Sequence, residues 1–578
     1  MRKNLKYTLK LDIKYYILFK TSWNLKMNNL LLSNNIYSEF SLTSQSEQYN
    51  NNLGTYNTDD FTIRLAYYIH EKLDNLTSGI TNSHELDDDT LQAYSTFLHE
   101  TIHWRQHIGS ISGFILSMMT PSQNFCLHSF LKVVIDEIGP VKSLRKYYIN
   151  NVTTNTPEDK LFKNLNNILN NFYDINYYKY LIINPEILRT NIHLKDEFFL
   201  SYGHSTIYSY INLLEILSKY FNDQYDIDDK IEKLKNVIYS QSNSLDSEYN
   251  AFKDEQIIIP PLGLKQIFEG QARFIQLQFL YFANRNTFDI PYFESNNLLN
   301  GLYGEAFDLY IKLIEHDYPR AFNSPLISIF LVICDLSINP GVAFPLDVGH
   351  DESFFFEAIP GIRFYELCCA TQELLLTDEN FTVHDHSNEE YHYIANALCT
   401  KLQYCRPDEI LDAVTSWPKS HGLINEIINE EKDYSYKTEL LPIRFLLSKF
   451  ILACEDKKKY PEFFCWTGAC SAGVNLKEEY SLLTERHKSP FISQKDLDVY
   501  ASYREGISED KIETMKDHFT AMNILSNLIK QWIANEGEFD VGFIKEINAK
   551  HSKEDLKKAY SSIFKNHFNF DFDDFNLI

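Results

Sequence analysis

Two histidines and a glutamate stand closely spaced in Leu98-His99-Glu100-Thr101-Ile102-His103-Trp104. Residues four apart on a helix lie about 40° apart around the axis and about one turn apart along it, so both imidazoles can reach a single ion. Glu100, beside the first histidine, is then placed to take a proton from a water that the ion activates. A chance match to this string is expected on the order of 0.04 times in a chain of this composition, so the segment around it carries much of the argument.

That segment reads as a buried helix. Asp87-Asp88-Asp89-Thr90 offers an N-cap and early negative charge, and neither Pro nor Gly interrupts Leu91 to Ile108. On a helical wheel Gln92, Thr96, His103, Gln106, His107 and Ser110 fall within about 80° of His99, while Tyr94, Phe97, Leu98, Trp104 and Ile108 cover most of the remaining circumference. An apolar surface that wide belongs inside a domain. A narrow polar stripe of histidines within it needs a partner, because unpaired polar groups are costly in the interior. A bound metal is one such partner, and histidines bonded to ordinary neighbours are the alternative.

A catalytic zinc requires three protein ligands and one open position. A third histidine ten residues after His99 is absent, since that position is Gly109. The expected third ligand is Glu269, in Gln266-Ile267-Phe268-Glu269-Gly270-Gln271-Ala272-Arg273-Phe274, within a helical stretch from about Leu264 to Asn284. Glu269, Arg273 and Gln276 share one face of that stretch, and a lone glutamate among apolar residues is expensive unless paired or metal-bound. Its competing assignment is a Glu269–Arg273 ion pair at i,i+4. His107 is the fallback ligand, two turns from His99 and about 80° around the helix.

With these residues stated, the chain resembles the gluzincin metallopeptidases, the broad thermolysin-like class. The resemblance rests on His99-Glu100-Thr101-Ile102-His103 and on the Glu269-Gly270-Gln271-Ala272 helix, about 40 residues in all. It implies His99, His103 and Glu269 as zinc ligands, Glu100 as general base, a protein or peptide substrate, and a zincin-like catalytic core. One departure is the separation of about 165 residues between His103 and Glu269, where better-known members place a few tens. Such chemistry also wants a donor to the oxyanion, usually Tyr or His. Composition does not select one among 38 tyrosines; His350, in a Gly-containing loop, and Arg273 are candidates. Asp335, near the end of an apolar run before Pro340, is the candidate for the carboxylate to which a metal-bound imidazole donates its other N–H.

The remainder of the sequence bounds this reading. At 578 residues, with 44% hydrophobic and 15% aromatic content, the chain is globular and long enough for more than one domain. A net charge of −25 argues against nucleic acid or an anionic membrane as the main partner. Nine scattered cysteines fit buried, reduced thiols and a cytoplasmic location. No run of 18 apolar residues signals a membrane span. Residues 1–26 form a basic extension with Met27 as an alternative start, which would leave that extension untranslated. Residues 27–376 are the expected catalytic region, with a helical insertion at about 111–255, and residues 377–578 a helical C-terminal region. The acidic stretch from Thr377 to Tyr391 reads as a boundary loop that leaves His384 and His386 solvated. The expected fold class is mainly α with a small β element, represented by Phe61–Ile69 and Gln256–Pro260. Two rival functions stand beside the peptidase: a non-catalytic binding or scaffold protein that retains the fold, and an intracellular protease controlled by a regulatory protein partner.

Overall fold

The structure, a computed structural model, describes residues 53–58, 61–73, 86–151, 159–187, 202–221, 225–237, 260–283, 289–295, 298–349, 354–472, 475–493, 499–501, 508–543 and 551–578. Within them the chain is mainly helical, with six short strands. The basic extension, residues 256–259 and His350 lie outside the described residues.

The helix that carries the histidine motif, here the motif helix, runs Asp88–Gly109. Asp87 caps it, accepting from the Thr90 N–H at 2.7 Å, and Asp88 and Asp89 complement the positive end of the helix dipole. It is buried along most of its length, from Leu98 without interruption to Ile108, as its wide apolar surface predicts. At Gly109 it stops, and Ser110 alone joins it to the next helix, Ile111–Ile138. The Ser110 hydroxyl donates to the Gln106 carbonyl at 2.6 Å and accepts from the Gly113 N–H at 3.0 Å, closing one helix and opening the other. Gly113 permits this sharp reversal, since a Cβ there would stand 2.0 Å from the Gln106 carbonyl oxygen.

Ile111–Ile138 packs with Lys160–Ile183 and Tyr202–Leu217 into a helical layer within the stretch expected as an insertion. The sequence pattern places a helix over Leu127–Tyr148. The structure instead ends it at Ile138, where Gly139 takes a positive φ of 73°, and starts a separate helix at Leu144.

The second functional element, the glutamate helix, is Leu264–Ala283. It lies antiparallel against the motif helix: Gln106 meets Phe268 and Gln271 near one end of the contact, and Ser95 meets Gln276 near the other. Behind it pack Pro325–Ile338 and the short helix Thr467–Cys470.

Strands β1 (Gly54–Tyr56), β2 (Thr62–Leu65), β4 (Phe491–Ser493) and β5 (Val499–Ala501) form one sheet in the order β1-β2-β4-β5, antiparallel except for the parallel β2–β4 pair. Strands β3 (Val141–Lys142) and β6 (Asn576–Leu577) form a second, parallel pair. β1 is an edge of its sheet among the described residues and lies on the motif helix. Because β4 comes from the C-terminal half and Leu441–Lys459 packs on the motif helix, the main core continues across residue 377. A second core joins the residue 127–181 region to the helices Glu509–Ala534 and Lys553–Phe568, with Trp532 at its centre. No helix among the described residues is long and apolar enough to cross a membrane.

The stretch from Thr377 to Tyr391 is an irregular connection, but its two histidines differ. His384 is exposed, whereas His386 is buried, contrary to the solvated loop expected from composition. Its Nε2 lies 2.8 Å from the Ser328 hydroxyl and 3.3 Å from Gln278 Nε2, and Trp466 and Phe282 pack edge-on to its ring.

Candidate metal centre

The antiparallel contact between the two helices brings His99, His103 and Glu269 together. His99 Nε2 and His103 Nε2 are 3.1 Å apart, and Glu269 Oε2 is 3.4 Å from each. A tetrahedral ion with bonds of 2.0–2.1 Å sets its ligand atoms about 3.3–3.4 Å apart, so the three atoms span one face of such a site. Among the described residues this is the one group of three with metal-binding character. No fourth ligand joins the three among the described residues. The side chains keep 8, 11 and 17% of their surface accessible, so the group is largely enclosed but not sealed.

The hydrogen bonds around His103 determine which of its nitrogens faces the trio. Gln106 Nε2 donates to the Phe268 carbonyl at 2.9 Å and to Gln271 Oε1 at 2.8 Å, which uses both amide protons. Its Oε1 is thereby aimed at His103 Nδ1, 2.9 Å away, and that nitrogen is the donor. In the neutral ring, Nε2 then presents a lone pair toward His99 Nε2 and Glu269 Oε2. Glu269 Oε2 is buried without a hydrogen-bond partner and faces the two Nε2 atoms. A buried carboxylate oxygen set at this spacing against two imidazole nitrogens fits a cation.

The ionisation of the three groups shows the same demand for positive charge. Burial by itself would lower His103, but the Glu269 and Glu100 carboxylates raise it to about 9. Burial and the neighbouring His103 charge push His99 down to about 4. Burial opposes the Glu269 charge, yet His103 and His99 hold its carboxyl well below the usual range. A cation bound by the three groups would answer the same charge.

Glu100 is buried on the same helix, and burial pushes its carboxyl up to about 7, within the range useful to a general base at neutral pH. The backbone of β1 presses on it: a Cβ on Gly54 would stand 2.9 Å from both Glu100 Cγ and Oε1. The glycine in β1 therefore makes the space that the Glu100 side chain occupies.

Other candidates from the sequence fall elsewhere. His107 is buried between Tyr56 and Phe268, with Nδ1 3.4 Å from the Ser117 hydroxyl, and does not join the trio. Asp335 is engaged by Lys457 Nζ at 2.5 Å, the Tyr391 hydroxyl at 2.7 Å and Asn339 Nδ2 at 3.1 Å, a buried ion pair that leaves the role of imidazole partner to Gln106. The i,i+4 pair between Glu269 and Arg273 does not form. Arg273 instead stacks over the Tyr303 ring, 3.9 Å from its centroid, and its Nη1 donates to Gln276 Oε1 at 2.7 Å.

Tyr303, in the short 3-10 helix Gly301–Tyr303, is the residue that sequence reasoning missed. Its ring lies edge-on to His99 with centroids 6.0 Å apart, and burial together with the nearby Glu269 charge raises its phenol. Nothing in the sequence separates it from the other tyrosines. Gln106, by contrast, stands on the polar stripe of the motif helix and was legible as such.

No protein-family model, no curated protein and no solved structure matches the chain.

Proposed function

We propose that this chain is a zinc-dependent metallohydrolase, most consistent with a peptidase of gluzincin type. The convergence of His99 Nε2, His103 Nε2 and Glu269 Oε2 at 3.1–3.4 Å carries the reading. These three atoms would hold the ion. When bound, zinc supplies Lewis acidity, bringing the pKa of water toward neutrality and polarising a carbonyl oxygen.

The remaining work belongs to the side chains. Glu100, with its carboxyl raised to about 7 by burial, accepts the proton of the attacking water and returns it to the leaving amine. Tyr303, edge-on to His99 and stacked against Arg273, is the candidate O–H donor to the developing oxyanion. Gln106 holds the His103 ring in the tautomer that keeps Nε2 free for the ion. A structural zinc would need no base and would be closed by a fourth ligand, so Glu100 and the three-ligand set favour an enzyme over a scaffold.

Metal analysis and peptide cleavage of the wild type, His99→Ala, Glu269→Ala and Glu100→Gln test this. About one zinc per chain is expected in the wild type and in Glu100→Gln, with zinc lost from the two ligand variants. Cleavage should be present only in the wild type. A wild type that binds no metal, or a Glu100→Gln variant that still cleaves, overturns the reading.

A further inference from the structure

Arg273 lies one helical turn beyond Glu269, yet among the described residues it forms no ion pair: the Glu100 carboxyl feels its charge only from beyond contact distance. Glu269 Oε2 is turned to the two imidazoles, and among the described residues no acidic group stands within ion-pair distance of the guanidinium. Its contacts are neutral. Nη1 donates to Gln276 Oε1 at 2.7 Å, and Gln276 Nε2 donates in turn to the Ser95 hydroxyl at 3.2 Å. Gln276 and Ser95 are both buried, so this arm is anchored in the core between the two helices. Nε is buried without a partner, and the plane of the guanidinium lies on the Tyr303 ring, which itself abuts His99. The residue as a whole is only partly buried.

A partly buried guanidinium held by neutral partners beside a metal site is costly unless an anion joins it. The planar fork of arginine suits a carboxylate better than any other side chain does. We propose that Arg273 is a specificity-determining residue that binds a carboxylate of the substrate next to the scissile bond, with Gln276 and Ser95 as the residues that position it. That carboxylate is either an Asp or Glu side chain or the free C-terminus of the peptide. The inference rests on the peptidase reading and adds to it the class of substrate.

The test uses zinc-loaded full-length Glu100→Gln protein, which holds peptides without turning them over, beside Glu100→Gln/Arg273→Gln and Glu100→Gln/Arg273→Lys. Three fluorescent peptide sets are titrated: acidic side chains with an amidated C-terminus, neutral side chains with a free C-terminus, and neutral side chains with an amidated C-terminus. Zinc content and circular dichroism verify that each variant is folded and loaded. Arg273→Gln is expected to weaken one carboxylate-bearing set by roughly ten- to a hundred-fold and to leave the neutral amidated set unchanged. The set that responds identifies the source of the carboxylate. Arg273→Lys should recover only part of the loss, because the bidentate fork is gone. Equal weakening of all three sets, or none, overturns the carboxylate anchor while leaving the peptidase reading in place. No peptide binding by a zinc-loaded Glu100→Gln protein overturns both.

Discussion

Replacing Gly54 by alanine perturbs Glu100 without touching a metal ligand. The new methyl group would stand 2.9 Å from Glu100 Cγ and Oε1 and 3.1 Å from Thr96 Cγ2. Non-bonded carbons settle at about 3.5–4.0 Å, so the Glu100 side chain must retreat by roughly 0.6–1 Å. The backbone at Gly54 pairs in register with Leu65, so the strand gives less readily than the side chain does. Rotating Glu100 off its rotamer costs about 1 kcal/mol of stability. The effect on catalysis is larger, since a misplacement of about 1 Å can cost on the order of a hundred-fold in rate. The assay is cleavage of an internally quenched peptide library, with zinc content and thermal midpoint measured on the same samples. Zinc should stay near wild-type level, the midpoint should fall by no more than a few degrees, and kcat should drop between ten- and a hundred-fold. In Glu100→Gln the further change Gly54→Ala should then add little, because both act through one group. Full activity in Gly54→Ala would show that Glu100 is not the placed base. Loss of zinc would show that β1 supports the ligands instead.

Two further outcomes are expected. Gln106→Leu removes the acceptor that fixes His103 Nδ1, so the zinc dissociation constant measured by chelator competition should rise roughly ten- to a hundred-fold, and an unchanged constant would remove Gln106 from the metal site. Burial pushes His386 down to about 4, far from the metal trio in sequence and packed beneath Trp466. Its folded pKa lies below the unfolded value of about 6.5, so its contribution is intact above about pH 6.5 and is lost as pH falls toward 4. The loss reaches about 2 kcal/mol by pH 5. The drop in urea midpoint from pH 7 to pH 5 should therefore be smaller in His386→Asn than in the wild type, and an equal drop would refute the assignment.

The sequence carried the helical class, an N-cap within Asp87–Thr90, the buried character of the motif helix, and the three residues that converge. Each depends on local rules: a 3.6-residue period, a short polar side chain at a helix start, and the expense of a glutamate among apolar neighbours. Buried thiols were equally legible, and most of the cysteines are buried. His386 and Asp335 were not. The environment of a side chain in a connection or at a helix end is set by whatever packs over it. Ser328, Gln278 and Trp466 cover the histidine, and Lys457 reaches the aspartate from 122 positions away.

What the sequence by itself determined is thus a set of donor atoms and the helices that bear them. Whether those donors meet was decided by tertiary structure, because helix periodicity fixes which face a residue occupies but not which helix that face will meet. The antiparallel contact between Asp88–Gly109 and Leu264–Ala283 turns Glu269 toward two imidazoles rather than toward Arg273, and aims Gln106 at His103. The same contact leaves Arg273 without an ion pair among the described residues. A short 3-10 helix and a glycine in β1 then place Tyr303 beside His99 and make room for Glu100. These are relations between segments far apart in the chain, held by close packing, and no window of sequence contains them.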